Sequence, residues 1–190
     1  MSITNIKDIF LDSELYIFNN IISNHSSTND ESINSFLGRF EIREGFIPMP
    51  INTTEKLLAL ASDFFDCAYS LSSVVYVEYS NAYGTPSLPP HFDEDQNDLI
   101  INYQLSSNTS WGVGVGSNLY SLDDNSALLF NPNTNIHWRP QKTFKDGEYV
   151  RMIFFRFCKK ETRSQYPVLT DKVKNELFGE IYDIMGVPRP

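Results

Sequence analysis

Histidine is scarce in this chain, with three among 190 residues, and cysteine is scarcer still, with only Cys67 and Cys158. Two thiols cannot build a disulfide framework, so they read as buried apolar side chains in a reducing compartment. Positive charge is in deficit: 15 Lys and Arg stand against 24 Asp and Glu, a net charge of -9. That sign disfavours partners gripped through phosphates, so neither a nucleic acid nor an anionic membrane surface is expected. No stretch approaches the roughly 18–20 consecutive apolar residues of a membrane span. The opening MSITNIKDIF lacks a basic segment followed by an apolar run, so no signal peptide is visible. A soluble, cytoplasmic protein is the expectation. With only 9 Gly and 10 Pro, collagen-like and low-complexity chains are excluded.

What is abundant is aromatic. Fourteen Phe and ten Tyr supply material for a large core and exclude intrinsic disorder. The length suits one domain, and no repeat or linker divides it. The expected organisation is a single domain over 1–190: a helical support region at 1–72, a β core at 73–158, and an extension at 159–190 carrying one helix. In the first region Asp12 is placed to cap a helix with Leu15, Phe18, Ile21 and Ile22 on one face, and Asn52 with Glu55 resembles a capping box for a second. Between them, 23–35 reads as a polar surface loop.

From Ser73 the hydrophobic period changes from 3.6 to 2. Val74–Tyr79, Leu99–Leu105, Gly112–Val115, Ala127–Phe130, the neighbourhood of His137 and Tyr149–Phe157 read as short strands separated by turn signals. Such punctuation suggests an antiparallel barrel or sandwich. Thr170 is placed to cap the final helix, whose expected apolar stripe is Val173, Leu177, Ile181 and Ile184, with Gly186 at its end.

Three side chains carry candidate metal chemistry. In an extended backbone, His91 and Asp93 project from one face. His137 follows 44 residues after Asp93. Two histidines and one carboxylate on one side of a metal leave the opposite positions open, which suits non-haem Fe(II). Arg151 comes 14 residues after His137, at the head of the apolar strand Arg151-Met-Ile-Phe-Phe155. A buried arginine needs a partner, and its planar fork matches a carboxylate bidentately. A purely structural role would pair it with Asp146 or Glu148.

These pieces, in this order, resemble the Fe(II)- and 2-oxoglutarate-dependent oxygenases, especially the prolyl-hydroxylase-like branch. The resemblance runs from about Val74 to Phe157. Val75–Tyr79 with Tyr83-Gly84 is similar to the strand and turn before the first ligand. His91-Phe-Asp93 matches the His-x-Asp motif, and Ala127–Pro132 followed by His137 resembles the strand bearing the distal histidine. Arg151 matches the basic residue that pairs with the far carboxylate of 2-oxoglutarate. The resemblance implies a mainly β fold with flanking α-helices, a double-stranded β-helix or jelly-roll holding iron through His91, Asp93 and His137. It implies an enzyme consuming 2-oxoglutarate and O2, releasing succinate and CO2, and hydroxylating an aliphatic carbon of an amino acid or a peptidyl, including prolyl, substrate.

Strand parity turns Tyr79, Asn102 and Gln104 inward, as further co-substrate contacts, with Tyr103 replacing Gln104 if the register is one residue off. Trp138 and Arg139, with Trp111, are placed at the pocket mouth as substrate contacts. Specificity is expected in the helical N-terminal third and in loops such as 81–90 and 106–111. One departure stands out: the family often has Ser or Thr two residues after the arginine, and here Ile153 stands there, so Tyr79 or Gln104 would supply the second contact. Asp93 favours hydroxylation over halogenation. A cupin-like metal enzyme that does not use 2-oxoglutarate, and a non-catalytic jelly-roll binding module, remain alternatives, as do monomer and homodimer.

Overall fold

The computed structural model describes residues 3–23, 31–42, 49–65, 67–93, 97–160 and 170–186. His25 and Glu94–Gln96 of the acidic run lie outside the described residues. In chain order the elements are β1 (Thr4–Lys7), α1 (Asp12–Ser23), β2 (Glu31–Asn34), β3 (Arg39–Ile42), α2 (Ile51–Phe65) and β4 (Tyr69–Ser80). Then come β5 (Leu88–His91), β6 (Leu99–Ser107), β7 (Val113–Val115), β8 (Asn118–Tyr120), β9 (Ser126–Phe130), β10 (His137–Arg139), β11 (Tyr149–Lys159) and α3 (Asp171–Met185).

The strands form two antiparallel sheets, ordered β1-β9-β6-β11-β4-β3-β2 and β5-β10-β7-β8, facing each other as a jelly-roll. β11 is central in the larger sheet, and its sequence is apolar at nearly every position because both of its faces are covered. Its even-numbered residues Val150, Met152 and Phe154 join Val75, Val77 and Tyr79 of β4 inside the barrel. Its odd-numbered Ile153, Phe155 and Phe157 face the other way, onto Phe18 of α1 and Leu57 and Ala61 of α2. Phe155 is fully buried there, with its ring 6.2 Å from those of Phe10 and Tyr103. Burial of such a ring stabilises by about 1.5–3 kcal/mol.

Several expectations are corrected. The first 72 residues are not only helical: β1 extends one edge of the large sheet, and the β2–β3 hairpin extends the other beyond β4, which itself begins at Tyr69. Residues 31–34, expected in a loop, form β2. In Arg39-Phe-Glu-Ile42 the charged residues face inward, so the pattern does not read as a strand with a polar exterior. Asn52 lies inside α2 rather than capping it; the Pro50 carbonyl accepts from the amides of Thr53 and Thr54 and starts the ladder. Cys67 and Cys158 are half-buried rather than buried.

In α3, Thr170 caps as expected by accepting from the Val173 amide, and Gly186 ends the helix in a left-handed conformation, φ 66°. Its packed face is rotated, however. Ile181 is buried, with Phe178 and Met185 beside it, on Ile136 and Trp138, whereas Val173 and Ile184 are exposed. Beneath this contact Gly114 is obligatory, since a Cβ there would lie 2.1 Å from the Trp138 indole. Among the described residues no helix is long and apolar enough to cross a membrane.

Candidate metal centre

β5 and β10 are neighbours in the smaller sheet, and their register sets His91 opposite His137. β5 is an edge strand, which tolerates Pro89 and Pro90 because a proline has no N–H to give the ladder. Two residues on, the Asp93 amide donates to the Pro132 carbonyl at 3.1 Å and turns this carboxylate toward the histidine pair. The imidazole centroids are 4.1 Å apart. Asp93 Oδ1 lies 3.6 Å from His91 Nε2 and 3.5 Å from His137 Nε2. One ligand atom from each residue falls within 4.8 Å of the others.

The second ring nitrogens are fixed by backbone carbonyls, Pro89 O at 2.8 Å for His91 and Asn135 O at 3.3 Å for His137. A carbonyl only accepts, so each Nδ1 donates to it and each Nε2 faces the centre. Loss of hydration, and then the neighbouring His137, push His91 down to about 4, which leaves it neutral at neutral pH. Burial acts to raise Asp93, but His137, Arg156 and His91 outweigh it and hold the carboxylate below its usual range. Asp93 Oδ2 is nevertheless buried with no hydrogen-bond partner among the described residues. Two imidazoles beside an under-satisfied carboxylate form a donor set for a divalent ion.

The centre lies on the wall of a cavity of about 490 Å³. Val75, Val77, Asn102 and Phe154 of the large sheet also line it, as do Leu88 and Pro89. Of the loops expected to set specificity, 81–90 contributes these last two, now within β5, and 106–111 contributes nothing. Asn102 faces in as expected, and its Oδ1 is buried without a partner.

Arg151 does not face the cavity. It sits opposite Glu78 on the outer side of the sheet, 39 % exposed, and its partner is that residue rather than Asp146 or Glu148. Its Nε lies 2.7 Å from the Glu78 carboxylate, to which Tyr76 and Tyr83 also donate. Being odd-numbered in β11, it shares its side with Ile153 and Phe155. Gln104 is committed to Leu122 O, Ser107 and Asp124, away from the cavity. Tyr79 is inside the barrel but fully buried, its hydroxyl accepting from Arg39 at 3.2 Å. Trp138 and Arg139 are not at a mouth. The Trp138 indole lies under α3 and donates to Gly116 O, and Arg139 is buried deep in the barrel at 1 % exposure.

Neither a family model nor a curated protein matches this chain. Solved structures do. HygX from Streptomyces hygroscopicus, with nickel and 2-oxoglutarate bound, superposes with a TM-score of 0.61 at 10% identity, over 90% of this chain and 89% of HygX. The fold is that of the 2-oxoglutarate/Fe(II) oxygenases. The non-heme alpha-ketoglutarate-dependent epimerase SnoN from nogalamycin biosynthesis gives 0.61 at 11% identity, over 82% and 77% of the two chains. A prolyl hydroxylase from Trichoplax adhaerens, in complex with a hypoxia inducible factor peptide, gives 0.54 at 13%, over 81% and 83%.

Three cavity residues escape the sequence reading. Arg156, the even-numbered arginine of β11, lines the cavity 4.0 Å from Asp93 Oδ2, and its Nε is buried without a partner. A signal for it exists: five residues from Arg151 is an odd step, so the two must face opposite ways. Arg39 and Glu41, ion-paired to each other from β3, line the cavity from the same sheet. Nothing in their sequence context marks them, because the hairpin that carries them is not expected.

Proposed function

We propose that this chain is an Fe(II)- and 2-oxoglutarate-dependent dioxygenase that hydroxylates an aliphatic carbon of an amino acid or a peptidyl, including prolyl, substrate. The observation that carries the reading is the convergence of His91, Asp93 and His137 on one point of a cavity wall, with both Nε2 atoms directed inward. Those three side chains would hold the metal; bound there, it would couple oxidative decarboxylation of 2-oxoglutarate to succinate and CO2 with oxygen insertion into a C–H bond.

The chain's own residues supply the surroundings. The Pro89 and Asn135 carbonyls orient the imidazoles. Arg156 lies beside the free oxygen of Asp93 and offers a cationic donor to a carboxylate at the centre, while Asn102 offers an acceptor. Val75, Val77, Ile100 and Phe154 keep water off the reacting carbon. The Arg39–Glu41 wall presents both signs of charge to the substrate, as a zwitterionic amino acid or a peptide group would require. A monomer or homodimer working in the cytoplasm completes the proposal.

The test is anaerobic reconstitution with Fe(II), then succinate release from 2-oxoglutarate with amino acids and short peptides as substrates. Stoichiometric iron and substrate-dependent succinate support the reading. Iron uptake with activity indifferent to 2-oxoglutarate supports a cupin-like enzyme instead, and no metal uptake a binding module.

A further inference from the structure

With Arg151 turned outward, the far carboxylate of the co-substrate needs another anchor. We infer that Arg139 is that anchor, reached through a floor formed by the Met152 side chain. This rests on the proposed function and assigns the residue that makes the site selective for a diacid.

The case begins with an uncompensated charge. Arg139 is 1 % exposed, and no carboxylate lies within 4.0 Å of it among the described residues. Its Nη1 donates to Trp111 O at 2.9 Å, and among the described residues its Nη2 has only the Met152 sulfur, a weak acceptor, at 3.4 Å. The guanidinium carbon lies 4.6 Å from the Trp111 ring centre and 5.6 Å from that of Tyr79. Ring faces and one carbonyl do not neutralise a buried cation, and leaving one without an anion is strongly unfavourable.

Its position suits the missing anion. His137 and Arg139 are two apart on β10 and share its inner face, a rise of about 6.6 Å, comparable with an extended five-carbon backbone. A diacid chelated at the metal by its keto-acid end would direct its other end along this strand. In the facing sheet Met152 is level with Val77 of β4 and Gln104 of β6, one layer below Phe154 and Asn102. Val77, Phe154 and Asn102 line the cavity, whereas Met152 and Arg139 do not. Met152 therefore closes the bottom of the cavity over the guanidinium. An unbranched thioether swings aside readily, and the incoming carboxylate would take its place on Nη2.

The other arginines are excluded by geometry. Arg39 is neutralised by Glu41. Arg156 stands at the metal ligand itself, too near for the far end of the molecule. Arg151 is on the opposite side of the sheet.

The experiment measures binding of 2-oxoglutarate and of 2-oxobutyrate, which keeps the keto-acid end and lacks the second carboxylate, to Mn(II)-loaded protein without turnover. Wild type is expected to prefer the diacid. Arg139→Gln should lose about 10- to 100-fold of 2-oxoglutarate affinity while Mn(II) and 2-oxobutyrate affinities stay put. Arg151→Gln should change neither keto acid. The exchange Arg139→Met with Met152→Arg, which presents the guanidinium from β11, should restore the preference, and it decides alone if Arg139→Gln does not fold. Diacid preference that survives Arg139→Gln, or that the exchange fails to restore, overturns the assignment. Wild-type protein that binds Mn(II) but neither keto acid overturns the functional reading instead.

Discussion

The two faces of the large sheet are made by the same strands, yet they treat polar groups in opposite ways. On the outer face Arg151 meets Glu78, and the hydroxyls of Tyr76 and Tyr83 complete the cluster. On the inner face Arg156 Nε and Asn102 Oδ1, together with the neighbouring Asp93 Oδ2, are buried without a hydrogen-bond partner among the described residues, Arg156 and Asp93 meeting only at 4.0 Å. Native proteins satisfy nearly all such groups, so three of them around one cavity mark a surface whose partners arrive from outside. The outer face packs; the inner face waits for a ligand.

The sharpest way to break that contrast is to damage each face in turn. Phe155→Ala, on the outer face, should destabilise by about 3–5 kcal/mol, measured by urea unfolding; a loss under ~1 kcal/mol would deny that this face is the packing face. Asp93→Ala, on the inner side, should weaken divalent-metal binding by at least about 100-fold, since even outer partners of metal ligands are worth 10–100-fold. Its melting temperature without metal should also fall, because the carboxylate is held ionised by His137, Arg156 and His91 and its loss leaves Arg156 uncompensated; calorimetry on the metal-free protein checks this.

Arg151→Gln should change stability by less than ~1 kcal/mol, as expected of a partly exposed pair, and leave metal uptake intact. A further effect concerns pH. The His91 pKa is about 4 in the folded chain against 6.5 for an unperturbed imidazole. Between those values the unfolded state binds a proton that the folded state refuses, so stability of the metal-free protein rises with pH across this window and falls on acidification. Melting curves of wild type and His91→Gln from about pH 4 to 6.5 should show a shallower slope in the variant.

The chain announces part of this arrangement. His91 and Asp93 are legible because alternation in an extended segment is local, and the inward set Val75, Val77, Tyr79, Ile100 and Asn102 follows from the same rule. The orientation of Arg151 is not legible in the same way. Met152 through Phe155 are apolar on both faces of β11, so hydrophobicity gives no parity signal, and only the register with β4 settles it. The β2–β3 hairpin is hidden because Arg39 and Glu41 point inward. The displaced stripe of α3 is hidden because its partners, Ile136 and Trp138, lie far back in the chain. A helix with apolar residues on several sides does not declare which side will be covered.

The β2–β3 hairpin hangs on the rim of the large sheet, joined to the barrel through β4, while the three side chains that converge their donor atoms come from β5, the residues just after it, and β10. Arg39 and Glu41 can therefore be replaced without changing a chelating side chain, Arg39 acting on His91 only through its charge. Ancestral drift, or a designer exchanging this one ribbon, could retarget the molecule to new guests while its engine stays the same.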